Sequence, residues 1–489
     1  MKKFYSMLLL VLAVVLMPTL VLAEGNVAEV NGTGYDTIEK ALTAAEGTDK
    51  EVKLLQDVTL AATKVVNKDL TINLNGHSIK YTSLLFEVYG AEFTVTGTGS
   101  LEETTPDYAP IAVYGSATNE DDFASVVNVG EGVTLKGWSG IMVRQHAKYS
   151  AKTADSNDSY GVEVNFAGKI ISVLDSGNGT GSGIYVNGNI LHTTNAPVIN
   201  IAKTANITSL GVGILSAGYS VVTVEGGSIV GDESGIEMRA GELYVKGGTI
   251  KSTATKLEVV PNGNGSTTIG AGIAVAQHTT ANVVKVEVTG GEIIGYVAFN
   301  EANPEQNTTD EVKDVDLTIK GGSFETTNTA AGAKAVSSET QTEFVQGGEF
   351  NVAPTDEAIA DTMTKKEENG VVYVGKESNV TVKDATNGEV KADRTTAVEG
   401  QTVTLTITAA KGYKLDKVVV KDAAGKEVTV TDGKFVMPGS NVEVSATFVA
   451  ETPEVPKTGD SVMLFVALGF MSIAAIAFAS NNLKRRTTR

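Results

Sequence analysis

A short pattern, Val/Ile-x-Gly-Gly-Ser/Thr/Glu-Ile/Phe, recurs along the middle of the chain at Val224–Ile229, Val245–Ile250, Val288–Ile293, Ile319–Phe324 and Val345–Phe350. Weaker copies stand at Leu74–Ile79 and Val186–Ile190. A second motif, Gly-Ile followed by alternating residues, interleaves with the first at Gly140, Gly183, Gly213, Gly235 and Gly272. The closest Gly-Gly copies, Gly226 and Gly247, are 21 residues apart, and the closest Gly-Ile pair, Gly213 and Gly235, are 22 apart. A fixed period of this size marks a stacked repeat. It suits a coil of three short strands and three corners, in which each strand alternates inward apolar and outward residues. Glycine supplies the corner conformations that bulkier residues disfavour. No single coil buries its own apolar side, so coils must stack ~4.8 Å apart to build one continuous core.

The expected fold is therefore all-β, a parallel β-helix. A sandwich or propeller would favour longer, hairpin-joined strands, and the 21–22-residue step argues against both. Larger gaps, such as Gly140 to Gly183, read as coils carrying loops, and the polar stretches Ser150–Ser159, Pro261–Thr268 and Asn300–Val312 read as those insertions. An open solenoid end needs a cover. Asp36 followed by Glu39 forms a candidate capping box, ahead of an apolar stripe Ile38, Ala41, Leu42 and Ala45 that Gly47 ends, so a helical cap is expected over the first coil.

On these repeats the segment 24–376 resembles the right-handed β-helix of the pectate-lyase-like superfamily, through its structural pattern and without a catalytic signature. From 377 to 450 the pattern changes: Gly-Gly pairs stop and strands such as Val403-Thr404-Leu405-Thr406-Ile407 alternate regularly. Gly412-Tyr413-Lys414-Leu415, Val418–Val420, Phe435-Val436-Met437-Pro438 and Val442–Phe448 resemble the internalin-type bacterial repeat module, a small β domain that the resemblance assigns to surface proteins.

Both termini point the same way. Lys2 and Lys3 precede the apolar segment Met7–Leu16, and Val21-Leu22-Ala23 has the small-residue spacing of a secretory cleavage site, so 1–23 reads as a signal peptide cut between Ala23 and Glu24. Within 451–489, Val455-Pro456-Lys457-Thr458-Gly459 is followed by the apolar run Val462–Ala479 and then by Lys484, Arg485, Arg486 and Arg489. That run is long enough to span a bilayer as a helix, and the basic tail holds its end in the cytoplasm. The arrangement resembles the cell-wall sorting signal of Gram-positive surface proteins. The resemblance implies that sortase cuts between Thr458 and Gly459 and joins Thr458 to peptidoglycan. Val455 stands where the family pattern has Leu, a difference of one methylene worth ~1 kcal/mol in an apolar pocket.

The 489 residues carry a formal net charge of −19, which disfavours nucleic acid as a partner. There is no cysteine, so disulfides, thiolate metal sites and cysteine nucleophiles are excluded. His77, His146, His192 and His278 are scattered singly, Asp121-Asp122 reads as an exposed loop, and Asp155–Gly161 lacks the glycine and glutamate of a calcium loop. No cofactor is expected. Glycosidase chemistry needs two carboxylates within about 5–10 Å, hence in one outward column. With each Ile of Gly-Ile inward, the outward columns run Met142, Tyr185, Leu215, Glu237, Ala274 and Arg144, Asn187, Ala217, Arg239, Ala276. Glu237 has no second carboxylate along its column, so Glu237 and Arg239 read as a solvated surface pair. Trp138 at a corner reads as packing.

These readings favour a wall-anchored surface protein with a structural, adhesive or ligand-binding role. Its expected partners are sortase, peptidoglycan, and a host or microbial glycan or surface protein. A polysaccharide lyase or glycoside hydrolase with a loop-built site is the alternative. The candidate ligand face is Arg144, Tyr185, Asn187, Glu237 and Arg239.

Overall fold

A computed structural model describes residues 25–105, 108–115, 125–144, 161–172, 181–190, 196–261, 266–276, 283–308, 310 and 314–451. The chain divides into two compact units, 1–360 and 361–489.

In the first unit the backbone visits three sheets in rotation. Val198–Ile201 lies in the first, Asn206–Ser209 in the second and Ile214–Ser216 in the third; the next coil repeats this with Val221–Val224, Ser228–Gly231 and Ile236–Met238. Each strand pairs in parallel with its counterpart one coil on, so Val222 faces Leu243, Ile229 faces Ile250 and Ile214 faces Ile236. Among the described residues the first sheet holds 12 strands and the third 10. The unit is thus all-β with long parallel sheets, an arrangement compatible with a β-helix.

The two glycine motifs have different physical causes. In the Gly-Gly copies the second glycine takes the left-handed region, with φ of +84° at Gly227, +89° at Gly248 and +98° at Gly291, where a side chain is disfavoured. In the Gly-Ile copies the missing atom matters instead. A Cβ on Gly213 would lie 2.4 Å from the Gly235 carbonyl oxygen, and one on Gly183 2.4 Å from that of Gly213. Each glycine in the column therefore makes room for the carbonyl of the next coil. Inside, Ile214, Ile236, Val224, Val245, Ile229 and Ile250 are all fully buried.

The helix Ile38–Ala45 buries Ile38, Ala41, Leu42 and Ala45, and Gly47 beyond it has φ +69°. Its N-cap differs from the expected one. Thr37 caps the helix, its hydroxyl accepting from the Lys40 amide at 3.3 Å, while Asp36 pairs with Lys40 Nζ at 2.8 Å. Glu39 turns away to accept from the Ala61 amide at 3.1 Å. Asp36 sits one residue too early for its carboxylate to reach a first-turn amide.

The insertions also differ. Asn300 belongs to the strand Val297–Ala302, so that excursion begins later than expected. Around Pro261–Thr268 the strands Glu258–Pro261 and Ser266–Ile269 pair antiparallel, and 262–265 lies outside the described residues. Ser150–Ser159 lies outside the described residues.

In the second unit, Thr364–Glu368 and Val371–Gly375 form an antiparallel hairpin. A five-stranded sheet and a three-stranded sheet follow, and Val380, Val403, Val420, Phe435, Val444 and Phe448 from both share one buried cluster. Among the described residues no helix is long and apolar enough to cross a membrane. Met7–Leu16, Ala23, Glu24, Val455–Gly459 and Val462–Ala479 lie outside the described residues.

Candidate functional site: two outward faces of the coil

The outward columns of the third sheet fall in the expected register. Met142 faces Tyr185, Tyr185 faces Leu215, Leu215 faces Glu237 and Glu237 faces Ala274. Arg144, Tyr185 and Asn187 are brought together on neighbouring coils and remain partly exposed. Tyr89 and Tyr114 extend the Arg144 column on the preceding coils, their rings stacked 4.4 Å apart at 14°. Trp138 and Tyr185 pack against Leu84, Ala112, Tyr114 and Met142, which gives Trp138 the packing role expected of it.

The solvated pair expected at Glu237 and Arg239 is not there. Glu237 is fully buried and Arg239 is 3% exposed. The strand Ser266–Ile269 meets them: Arg239 Nε donates to Glu237 Oε1 at 2.6 Å, Arg239 NH2 to Thr267 Oγ1 at 2.9 Å, and the Thr268 amide to Glu237 Oε2 at 2.7 Å. Burial pushes the Glu237 carboxyl above its usual range, against the pull of Arg239 and the Thr268 amide. Alternation along the strand is right about direction. It carries no information about a second layer arriving from further along the chain, 28 residues from Arg239 to Thr267 and 31 from Glu237 to Thr268. Arg144, Tyr185 and Asn187 therefore make the open part of this face; Glu237 and Arg239 clamp a covering strap.

The first sheet carries a feature the repeats did not announce. Asn128, Asn165 and Asn200 stand in register on three consecutive coils. Asn200 Nδ2 donates to Asn165 Oδ1 at 2.9 Å, and Asn165 Nδ2 to Asn128 Oδ1 at 3.0 Å. Asn128 Nδ2 continues to Thr94 Oγ1 at 3.1 Å and Glu92 Oε1 at 2.9 Å, and Asn165 Nδ2 also reaches Glu163 Oε1 at 2.9 Å. Beside this ladder runs an open groove of about 380 Å³. Its depth has a simple origin. Two residues past each asparagine, at the corner, the coils place Gly130, Ala167 and Ala202, while Thr96 and Glu225 rise at either end. The signal was present as apolar-Asn-apolar-small in Val127–Gly130, Val164–Ala167 and Ile199–Ala202.

Further along the same sheet, Glu242 accepts from Tyr219 Oη at 3.1 Å and from Tyr244 Oη, and Lys285 Nζ lies 5.5 Å from the centre of the Tyr244 ring. Burial and the Glu242 charge push the Tyr219 phenol up to about 12. Among the described residues no group of three or more His, Cys, Asp or Glu side chains is placed to hold a metal ion.

Residues 378–452 match the family of the divergent InlB B-repeat domain. This supports an internalin-type repeat where the alternating strands suggested one, and a surface-protein or adhesin-like character for that module. No curated protein and no solved structure matches the chain.

Proposed function

We propose that this chain is an exported surface protein, cut between Ala23 and Glu24 and joined to the Gram-positive cell wall through Thr458, with an adhesive or ligand-binding role. The observation that carries this reading is a juxtaposition in sequence. The B-repeat match over 378–452 is followed by Val455-Pro456-Lys457-Thr458-Gly459, the apolar run Val462–Ala479 and the basic residues Lys484–Arg486. The coil is the ligand-bearing part. Its three parallel sheets support a right-handed β-helix of the pectate-lyase-like kind, since parallel crossovers are almost always right-handed. A rigid sheet also presents side chains without an ordering cost on binding. Fractionation tests the anchor. Thr458→Ala moves the protein from the covalent wall fraction to the membrane fraction, still carrying Val462–Ala479. Equal covalent attachment of mutant and wild type to purified wall would sink the sortase assignment.

A further inference from the structure

We infer that the module matched over 378–452 is a load-bearing clamp, built to resist tension applied between its two ends. This rests on the reading of the chain as wall-anchored, which puts the coil before the module and the wall after it, and adds a mechanical role for the module itself.

Strand direction decides the response to tension. The strand that opens the module, Glu377–Val382, and the strand that closes it, Val442–Ala450, lie side by side and run parallel. Val380 faces Val442, Thr381 faces Glu443 and Val382 faces Val444. In a parallel pair, the start of one strand and the end of the other point in opposite directions along one axis. Tension that enters at Glu377 and leaves at Ala450 therefore slides the two strands past each other. The hydrogen bonds between them cross that direction and are loaded together. The neighbouring pair has the opposite geometry. Tyr413–Asp422 runs antiparallel to Val442–Ala450, with Tyr413 facing Ala450, so pulling those two ends apart opens the bonds one after another.

Place in the sheet strengthens the clamp. The strand order is Thr396–Val398, Glu377–Val382, Val442–Ala450, Tyr413–Asp422 and Glu427–Val428. Both terminal strands are thus interior, and neither can be peeled from an edge. The Lys383 amide donates to the Val444 carbonyl at 2.8 Å and the Asn379 amide to Asn441 Oδ1 at 2.8 Å, while on its other side the Val380 amide donates to the Thr395 carbonyl at 2.8 Å. Val380, Val442 and Val444 are buried. Phe448 seats the last strand further: its ring lies against Gly388, where an added Cβ would come within 2.4 Å of Phe448 Cζ. Sliding the strand must pull that ring from its seat. The ion pair of Lys383 with Glu443 also crosses the two strands, but its side chains are about half exposed, so it adds little.

The chain has no cysteine of its own, so introduced pairs define the pulling points for single-molecule force spectroscopy of the full chain. Lys376→Cys with Glu451→Cys pulls across the two terminal strands. Lys411→Cys with Glu451→Cys pulls apart the adjacent ends of the antiparallel pair. Lys376, Lys411 and Glu451 are all exposed. Forced unfolding is governed by the unfolding rate rather than by equilibrium stability, so one fold gives two different forces. The first geometry is expected to rupture at roughly twice the force of the second or more, because its bonds fail together rather than singly. Lys383→Pro removes a loaded donor, and Asn441→Ala removes a loaded acceptor from the other strand. Each is expected to lower the first force more than the second. Equal forces in the two geometries overturn the inference, as does an undiminished first force in both variants. Neither result touches the wall anchor, whose failure shows in the fractionation of Thr458→Ala and leaves these forces as they are.

Discussion

Glu237 lies on the strand Ile236–Met238 and Arg239 just beyond its end; they form an ion pair of 2.6 Å, and both are buried beside the strand Ser266–Ile269. Two charges on the outer side of a sheet normally remain in water. Here Thr267 accepts from Arg239 and the Thr268 amide donates to Glu237, so the pair fastens the strap to the coil. Breaking a buried pair leaves an uncompensated charge, which costs about 3–5 kcal/mol. Glu237→Gln is therefore expected to destabilise the coil by about 3 kcal/mol in denaturant unfolding. Replacing Glu237 and Arg239 together by Met should recover more than half of that loss. Wild-type stability in Glu237→Gln would show that the pair does not hold the strap.

The inward register predicts a sharp contrast at the neighbouring position. Ile236 is fully buried between Ile214 and Ile273 on the adjoining coils. An aspartate there would be buried without a partner, at a cost of several kcal/mol, shared by the coils on either side. Ile236→Asp is expected to give insoluble or unfolded protein, and Ile236→Val a soluble one destabilised by ~1 kcal/mol. A soluble, cooperatively folded Ile236→Asp protein would rule out this register.

The glycine column makes a prediction about space rather than polarity. A Cβ at Gly213 would meet the Gly235 carbonyl oxygen at 2.4 Å and Ile229 Cγ2 at 2.6 Å. Backbone on one side and packed core on the other leave nothing free to move aside, so Gly213→Ala should cost about 1–3 kcal/mol or more. At Gly188 the nearest atom to an added Cβ is 3.6 Å away and φ lies outside the left-handed region, so Gly188→Ala should be nearly neutral. Paired melting curves check this. Equal melting temperatures for the two variants would contradict the close approach of the coils.

How much of this was legible in the sequence varied with the range of the interaction. The period and the inward positions were readable, because Ile236 faces inward by the same alternation that makes its strand. The internalin-type module was readable from the strands around Val403–Ile407 and Val442–Phe448. The burial of Glu237 was not, since it depends on the strand Ser266–Ile269, about 30 residues further along, coming to meet it. The capping error at Asp36 was a one-residue choice between adjacent capping residues, settled by the reach of Thr37 Oγ1. The asparagine ladder was legible in principle. Its signal is carried by outward polar positions spaced 37 and 35 residues apart, which a search for glycine repeats passes over.

The last prediction concerns acid. Glu102 lies on the outer side of the second sheet, 2.9 Å from Lys136 Nζ and 3.2 Å from Lys80 Nζ, with the Ser100 hydroxyl donating at 2.7 Å. Burial opposes its charge, but these three partners outweigh burial and bring its pKa from the usual 4.5 down to about 2. A carboxylate depressed in the folded state contributes stability that is fully present above its unfolded pKa. That contribution is lost as the pH falls through the folded value. The window is therefore about pH 4.5 down to about 2. The lysine side chains are nearly half exposed, at 46% and 44%, so solvent screening reduces the contribution to on the order of 1–2 kcal/mol. Glu102→Gln should be less stable than wild type by that amount at pH 7, and the gap should close as the pH approaches 2. Thermal unfolding of both proteins at neutral pH and at steps through that window measures the gap directly. A gap that persists undiminished at the acid end would mean that Glu102 acts through packing rather than through its charge.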